Sequence, residues 1–307
     1  MNKKVFLRVF LITLLVLVLI GCLLYFGMMR PAFAKMNDHE DAQALSAILD
    51  QPGGEGFNML LLGTDGSNKR TDTIMLVSVH KNGEIALSSI PRDTRVKIGK
   101  KHQKINAALP IGGREMLIEA VREVTGAPIH YYAQVNFEGF KNIVDILGGV
   151  EFEVPQDMFY EDPAQDLYID LKAGLQLLDG DKAEQLCRFR KYPEADIART
   201  RVQQAFVKAM IEQKMTFGNL LKAPAVLSEI ADHCETNFSQ GDLMRYLGAI
   251  LSAKSENIVS YPMPGGGKTI GGVSYFVQDS EEAYALYSEH FFGTGAPAEK
   301  VYTNVSK

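Results

Sequence analysis

Cysteine and histidine are scarce in this chain. Three cysteines occur in 307 residues, and with Cys22 inside a long apolar run only Cys187 and Cys234 stand in the remainder. Two distant cysteines exclude a disulfide framework and lack the paired spacing of a metal knuckle, while a single bridge between them stays open. The six histidines are scattered, which argues against a histidine-based zinc motif. Positive charge is in short supply too. A formal net charge of -5 gives the chain no overall attraction for nucleic acid, so any anion must be held by a local cluster of lysine and arginine. Internal repeats and low-complexity tracts are missing. With 46% hydrophobic and only 22% charged residues, disorder is not the default, and the length fits one large domain or two modest ones with a real core.

What is present begins with "MNKKVFLRVFLITLLVLVLIGCLLYFGMMR", residues 1–30. A basic start (Lys3, Lys4, Arg8) precedes an apolar run from Val9 to Met29, of the roughly 20-residue length needed to span a bilayer as a helix. The expectation is a cytoplasmic tip with a single transmembrane helix, and residues 31–307 on the outer side of the cell membrane. Two alternatives compete. A cleaved signal peptide has an apolar region of only about 7–15 residues. A lipoprotein signal is suggested by "LIGC" at 19–22, but "LLYFGMM" continues the apolar run past Cys22.

Residues 31–56 are mostly polar and end in "QPGGEG", which reads as a juxtamembrane linker. The folded domain is expected over 57–307. "FNMLLLG" (57–63), "TIMLVSVH" (73–80) and "EIALSSIP" (84–91) read as consecutive, partly antiparallel strands, with "KNGE" (81–84) as a hairpin turn. A helix over 113–126, a strand over 129–135 and a helix over 136–149 follow, then strand pieces "VEFEVP" and "LYIDL" and a segment at 178–191 that begins as a turn and becomes helical. A long helix is expected from Asp196 to Lys214, further helices at 217–232, 240–254 and 280–291, a strand at 256–263, a glycine-rich loop, and a strand near "VSYFVQD". Strands interleaved with helices of this length imply an α/β domain whose central sheet is covered on both faces.

The charged residues fall at the ends of these elements. Asp65, Arg70 and Asp72 crowd the turn after the first strand, Arg92 and Asp93 stand in "SSIPRDT", and Lys104 and Asn106 in "KINAA". Arg188, Arg190, Asp196, Arg199 and Gln203 lie in "CRFRKYPEADIARTRVQQ". Asp65 and Asp72 are candidates for a hard divalent ion that also touches phosphate oxygens; the plainer reading is a solvated turn in which Asp65 caps the backbone and Arg70 pairs with Asp72. Arg188 and Arg190, two apart, converge on one anion only if the helix ends there, as Pro193 nearby allows. Several arginines on one site suit a multiply charged group such as a pyrophosphate; the alternative is surface arginines paired with Glu184, Glu194 and Asp196. "GGGKT" at 265–269 is not a nucleotide loop, because Pro262 stands where the pattern needs glycine.

In order, "LLLGTD", "RTDTIMLVSV", "SSIPRDT", "KINAA", "DILGGVEFEVP", "LDGDKAEQLCRFR" and "DIARTRVQQ" resemble the LytR-CpsA-Psr family of membrane-anchored phosphotransferases, a match over about residues 57–215, with a less specific likeness at 262–279. The resemblance implies an α-β-α domain with a mixed central sheet. Its implied activity is that of an extracytoplasmic enzyme that moves a glycopolymer from a polyprenyl pyrophosphate carrier to a peptidoglycan sugar hydroxyl, with Mg²⁺, or Mn²⁺ in its place, as cofactor. It assigns Asp65 and Asp72 to the metal, and Arg70, Arg92, Lys104, Arg188, Arg190 and Gln203 to the pyrophosphate. Asp93, Asp196 and Arg199 match positions that orient those groups, with Arg70, Arg92 and Asp93 nearest the chemistry. One departure is the short loop between the aspartates, where Gly66 and Ser67 stand in place of a longer stretch that often carries an arginine. A lipid pyrophosphatase and a non-catalytic binder of the lipid carrier are the other readings; nucleic acid is not expected as a partner.

Overall fold

The computed structural model describes residues 3–64, 71–163, 167–192 and 196–293. The apolar N-terminal run forms one long helix, α1 (Lys3–Asn37), and the short α2 (Ala42–Ile48) follows it. At the end of α1, Met29, Ala32, Phe33 and Met36 recur at helical spacing and are buried against Ile230, Ala231 and Cys234 of the domain. Among the described residues, no helix is long and apolar enough to cross a membrane.

β1 (Gly56–Thr64), β2 (Thr71–His80) and β3 (Ile85–Ser89) are antiparallel neighbours. A small hairpin of β4 (Arg95–Ile98) and β5 (Lys101–Lys104) leads into α3 (Ala108–Thr125), which returns the chain to β6 (Tyr131–Asn136), parallel to β1. α4 (Phe137–Ile146) is capped by the Asn136 side chain, which accepts the Gly139 amide. Two ribbons come next: β7 (Val150–Val154) pairs with β10 (Gly174–Leu178), and β8 (Met158–Asp162) with β9 (Leu167–Leu171). α5 (Gly180–Arg188) and α6 (Asp196–Lys214) follow, then α7 (Phe217–Leu220), α8 (Ala223–Ile230), β11 (Cys234–Thr236) and α9 (Gln240–Ser252). β12 (Ile258–Pro262), the hairpin of β13 (Gly265–Ile270) and β14 (Val273–Gln278), and α10 (Ser280–His290) complete the domain.

The central sheet has the order β11-β6-β1-β2-β3-β12. It is mixed, since β6 and β12 run parallel to β1 and β3 while the other pairs are antiparallel. Alternate side chains explain the layers. Leu60, Leu62, Ile74 and Leu76 meet Leu45 of α2, Val121 of α3 and Tyr287 of α10 on one face. Phe57, Met75, Val77 and Leu87 meet Tyr246 of α9 and Val207 of α6 on the other. A sheet apolar on both faces must be covered twice, which gives the α-β-α sandwich.

The chain departs from expectation in several places. β4, β5 and β11 form where no strand is expected, and the segment expected as a linker carries α2, whose Leu45 and Leu49 are buried in the main core. The glycine-rich loop is strand β13: Gly265, at φ 141, lets its backbone approach Val277 so closely that a Cβ would stand 2.4 Å from the Val277 oxygen. α3 consists of two helical pieces joined across a break at Gly112 and Gly113, the latter with φ 68; the piece after the break is the helix expected over 113–126, and the short piece from Ala108 precedes it. β8 and β10 carry no clear strand signal, because each belongs to a two-stranded ribbon that buries one face only and leaves Phe159, Leu175 and Leu177 exposed.

Candidate active site

The site is assembled where β2 begins and β3 ends. A register shift between Gly63 and Thr64 ends the regular β1–β2 ladder, and Asp72 is the second residue of β2. The turn after β3 carries Arg92 and Asp93. Its backbone is held from several sides: Thr94 N–H donates to Pro91 O (2.9 Å), Asn106 N–H to Arg92 O (3.2 Å) and Phe276 N–H to Asp93 O (2.9 Å). Asn106 thus holds the turn through its main-chain N–H, and the β13–β14 hairpin supports the backbone of Asp93.

Arg92 reaches across to Asp72, with Nη1 donating to Oδ1 at 2.6 Å. The second Asp72 oxygen accepts from Arg190 Nη2 at 3.0 Å. Burial works against the Asp72 charge, but Arg190, Arg92 and the nearby Arg199 outweigh it and hold the carboxyl below its usual range. Asp93 pairs with Lys104, Nζ to Oδ2 at 3.0 Å.

α5 ends at Arg188, and Phe189 is extended and buried, so the helix stops where convergence of the two arginines requires it. Of these two arginines, Arg190 reaches Asp72. Arg188 instead donates to Glu184 one turn back (2.8 Å), and its guanidinium lies 4.9 Å from the centre of the Phe137 ring. Arg199 is 2% exposed, and Gln203 spans α6 to α5 by donating to Cys187 O at 2.9 Å. Burial pushes the Cys187 thiol up to about 12, which disfavours the thiolate. Cys187 and Cys234 are both free, so no bridge joins them. Asp65 and Arg70 lie outside the described residues, as does the side chain of Asp196.

For Arg188 the alternative reading holds, since it pairs with Glu184; Phe137 is a site residue that the sequence does not point to. The Glu184–Arg188 pair is one helical turn long and so legible locally, whereas the contact of Phe137 with Arg188 joins the start of α4 to the end of α5. Next to the charges is an apolar cavity of about 240 Å³ lined by Leu61, Thr73, Phe137, Phe140, Gln203 and Met210. A second, of about 410 Å³, lies on the same side of the sheet, shares Ala133 with the first, and is walled partly by Phe33 and Met36 of α1. Polar cations beside an apolar cavity suit an amphiphile whose head is an anion and whose tail is hydrocarbon.

Among the described residues there is no group of three acidic, histidine or cysteine side chains that could hold a metal. Asp72 remains a fitting hard donor: it is held ionised, and a carboxylate accepting two N–H groups keeps further lone pairs for a cation that takes its other ligands from phosphate and water.

The model of the LytR_cpsA_psr family matches residues 24–290. A polyisoprenyl-teichoic acid–peptidoglycan teichoic acid transferase of Bacillus cereus is 36% identical over 230 residues, 72% of this chain and 73% of the relative. The crystal structure of Bacillus subtilis TagV superposes with a TM-score of 0.67 at 27% identity, covering 78% of this chain and 98% of the other. A structure described as TagT bound to LI-WTA superposes at 0.63 with 26% identity, covering 77% and 90%.

Proposed function

Because the chain belongs to the LytR_cpsA_psr family, we propose that it transfers a glycopolymer from a polyprenyl pyrophosphate carrier to a sugar hydroxyl of peptidoglycan, forming a phosphodiester. The observation that carries this reading is the meeting of Arg92 and Arg190 on Asp72 beside an apolar cavity. Relatives named as transferases between a polyisoprenyl-linked teichoic acid and peptidoglycan support it.

In this scheme Arg92, Arg190, Arg188, Lys104, Arg199 and Arg70 neutralise the pyrophosphate, and Gln203 lines the cavity that takes the first part of the lipid tail. The acceptor hydroxyl oxygen attacks the phosphorus that carries the glycopolymer. A new P–O bond forms, the bond to the lipid phosphate breaks, and polyprenyl monophosphate leaves with its added charge facing the arginines. Asp72, held ionised by two guanidiniums, is a weak base. In this scheme Asp93 takes the hydroxyl proton, with Lys104 orienting it. Asp65 and Asp72 would hold Mg²⁺, which when bound supplies charge neutralisation to the phosphate oxygens.

The proposal includes a single-pass anchor in the cell membrane with the domain outside. The basic start, the apolar run and the exposed Leu15, Leu17, Leu24 and Met28 of α1 support it.

The test uses the full chain in nanodiscs with a polyprenyl pyrophosphate-linked glycopolymer and a soluble peptidoglycan oligosaccharide. Mass spectrometry should find the phosphodiester-coupled product and free polyprenyl monophosphate. Release of glycopolymer phosphate without coupled product would make the protein a hydrolase and overturn the transferase reading.

A further inference from the structure

The β8–β9 ribbon presents an outward face that the donor chemistry does not use. Phe159 and Tyr168 are 59% and 57% exposed and lie edge to face, ring centroids 6.1 Å apart at 89°. The strand register puts Asp170 opposite Phe159 and Glu161 opposite Tyr168, and all four side chains are exposed on the same side. The inward face carries Met158 and Ile169, which pack in one cluster with Phe189 and Tyr192. Lys191 Nζ sits 4.7 Å from the centre of the Tyr160 ring. The ribbon is thus fastened to residues 189–192, the segment that delivers Arg190 to Asp72.

We propose that this face, Phe159 and Tyr168 flanked by Glu161 and Asp170, docks the sugar rings of the acceptor glycan. The inference rests on the transferase reading above. Charge selects the occupant. Lys172 Nζ lies 3.9 Å from Asp170 Oδ1, so the face keeps a net negative charge through Glu161, and that charge disfavours the phosphate-rich donor polymer and an anionic bilayer surface. A glycan strand instead offers C–H faces that pack on aromatic rings and hydroxyl groups that donate to carboxylates. Because the inward side of the ribbon is fastened to the segment that carries Arg190, an acceptor held on the outward side is tethered to the same part of the molecule as the donor site, and proximity of that kind raises a rate without any new catalytic group.

The experiment uses the full chain in nanodiscs and a soluble, uncross-linked peptidoglycan oligosaccharide as probe. Its Kd is measured by calorimetry without donor, and its KM in the coupled reaction, for wild type, Phe159→Ala/Tyr168→Ala, Asp170→Asn and Tyr168→Phe. The double variant should raise acceptor Kd and KM at least about tenfold, the loss expected for two aromatic contact surfaces. Asp170→Asn should raise them less, Tyr168→Phe should retain most of the affinity, and the donor KM should not follow. Unchanged acceptor Kd and KM in the double variant, or no glycan binding by wild type, overturns the proposal even where transfer is seen. So does a double variant that loses vesicle binding or self-association instead. If no transfer is detected and the transferase reading fails, the calorimetric Kd still decides the ribbon by itself.

Discussion

Asp72 and its two arginines set what single substitutions should do. Arg92→Ala and Arg190→Ala each remove a charged hydrogen-bonding group, so each should weaken binding of the lipid-linked donor by about 1.5–3 kcal/mol. Arg188→Ala should cost less, because Arg188 already shares its charge with Glu184. A titration by calorimetry ranks the three, and equal losses would show that the Glu184 pair opens when donor binds. The same aspartate gives a pH dependence. Its carboxyl is held below the ordinary value of 3.8, so it favours the folded state above that pH, and this contribution is lost as pH falls through the lowered native value. Asp72→Asn should therefore flatten the acid limb of stability, read from thermal melts in acid buffers. Coupled-product formation should also need added Mg²⁺ or Mn²⁺ and fall sharply in Asp65→Ala and Asp72→Ala with the fold retained. Full activity in both variants after chelation would return the pair to a capped turn.

Among the elements, the β13–β14 hairpin has a function its sequence does not announce. Phe276 is buried in the main core, its N–H donates to Asp93 O, and Thr94 bridges to Phe276. Gly265 permits the approach of its two strands, since a side chain there would meet the Val277 carbonyl. Gly265→Ala should cost about 1–3 kcal/mol and lower transfer by loosening the Asp93 turn. Gly266→Ala, where a Cβ meets nothing within 4 Å, should be tolerated. Melting temperature and rate measured on both variants check the pair of outcomes. Element existence was largely readable in advance: α6 follows its predicted bounds, and β1 to β3 lie where the alternation puts them. One strand of each ribbon and of this hairpin was readable, β7, β9 and β14; their partners β8, β10 and β13 were not, because a two-stranded element buries one face and the glycines of β13 mimic a loop.

For the molecule as a whole, α1 is both an apolar run and a packing partner. Met29, Phe33 and Met36 fill the surface formed by α8 and β11. A domain fragment that begins at residue 38 should melt more than about 5 °C below one that begins at residue 24, given about 1.5 kcal/mol per buried apolar side chain and about 2–4 °C per kcal/mol at this size. Equal melting temperatures would mean that α1 only rests on the domain. Protease added to intact protoplasts should digest the domain if the anchor holds it outside, and full protection would reverse the topology.

The sequence by itself determined the local and the covalent: strand alternation, helix spacing, the apolar N-terminus, and the ordered motif blocks that carry the family and most of the charged site. These are written within a few residues of each other, where backbone geometry and side-chain period act directly. Only the tertiary structure decided which charges meet. Asp72 joins Arg92 across 20 positions and Arg190 across 118, and no local preference spans that distance. The strand order that brings β6 beside β1 and β12 beside β3 sets those meetings, and so does the end of α5 at Phe189. The same packing leaves Arg188 on Glu184 and turns Phe159 and Tyr168 outward, because the ribbon has a core on one side only.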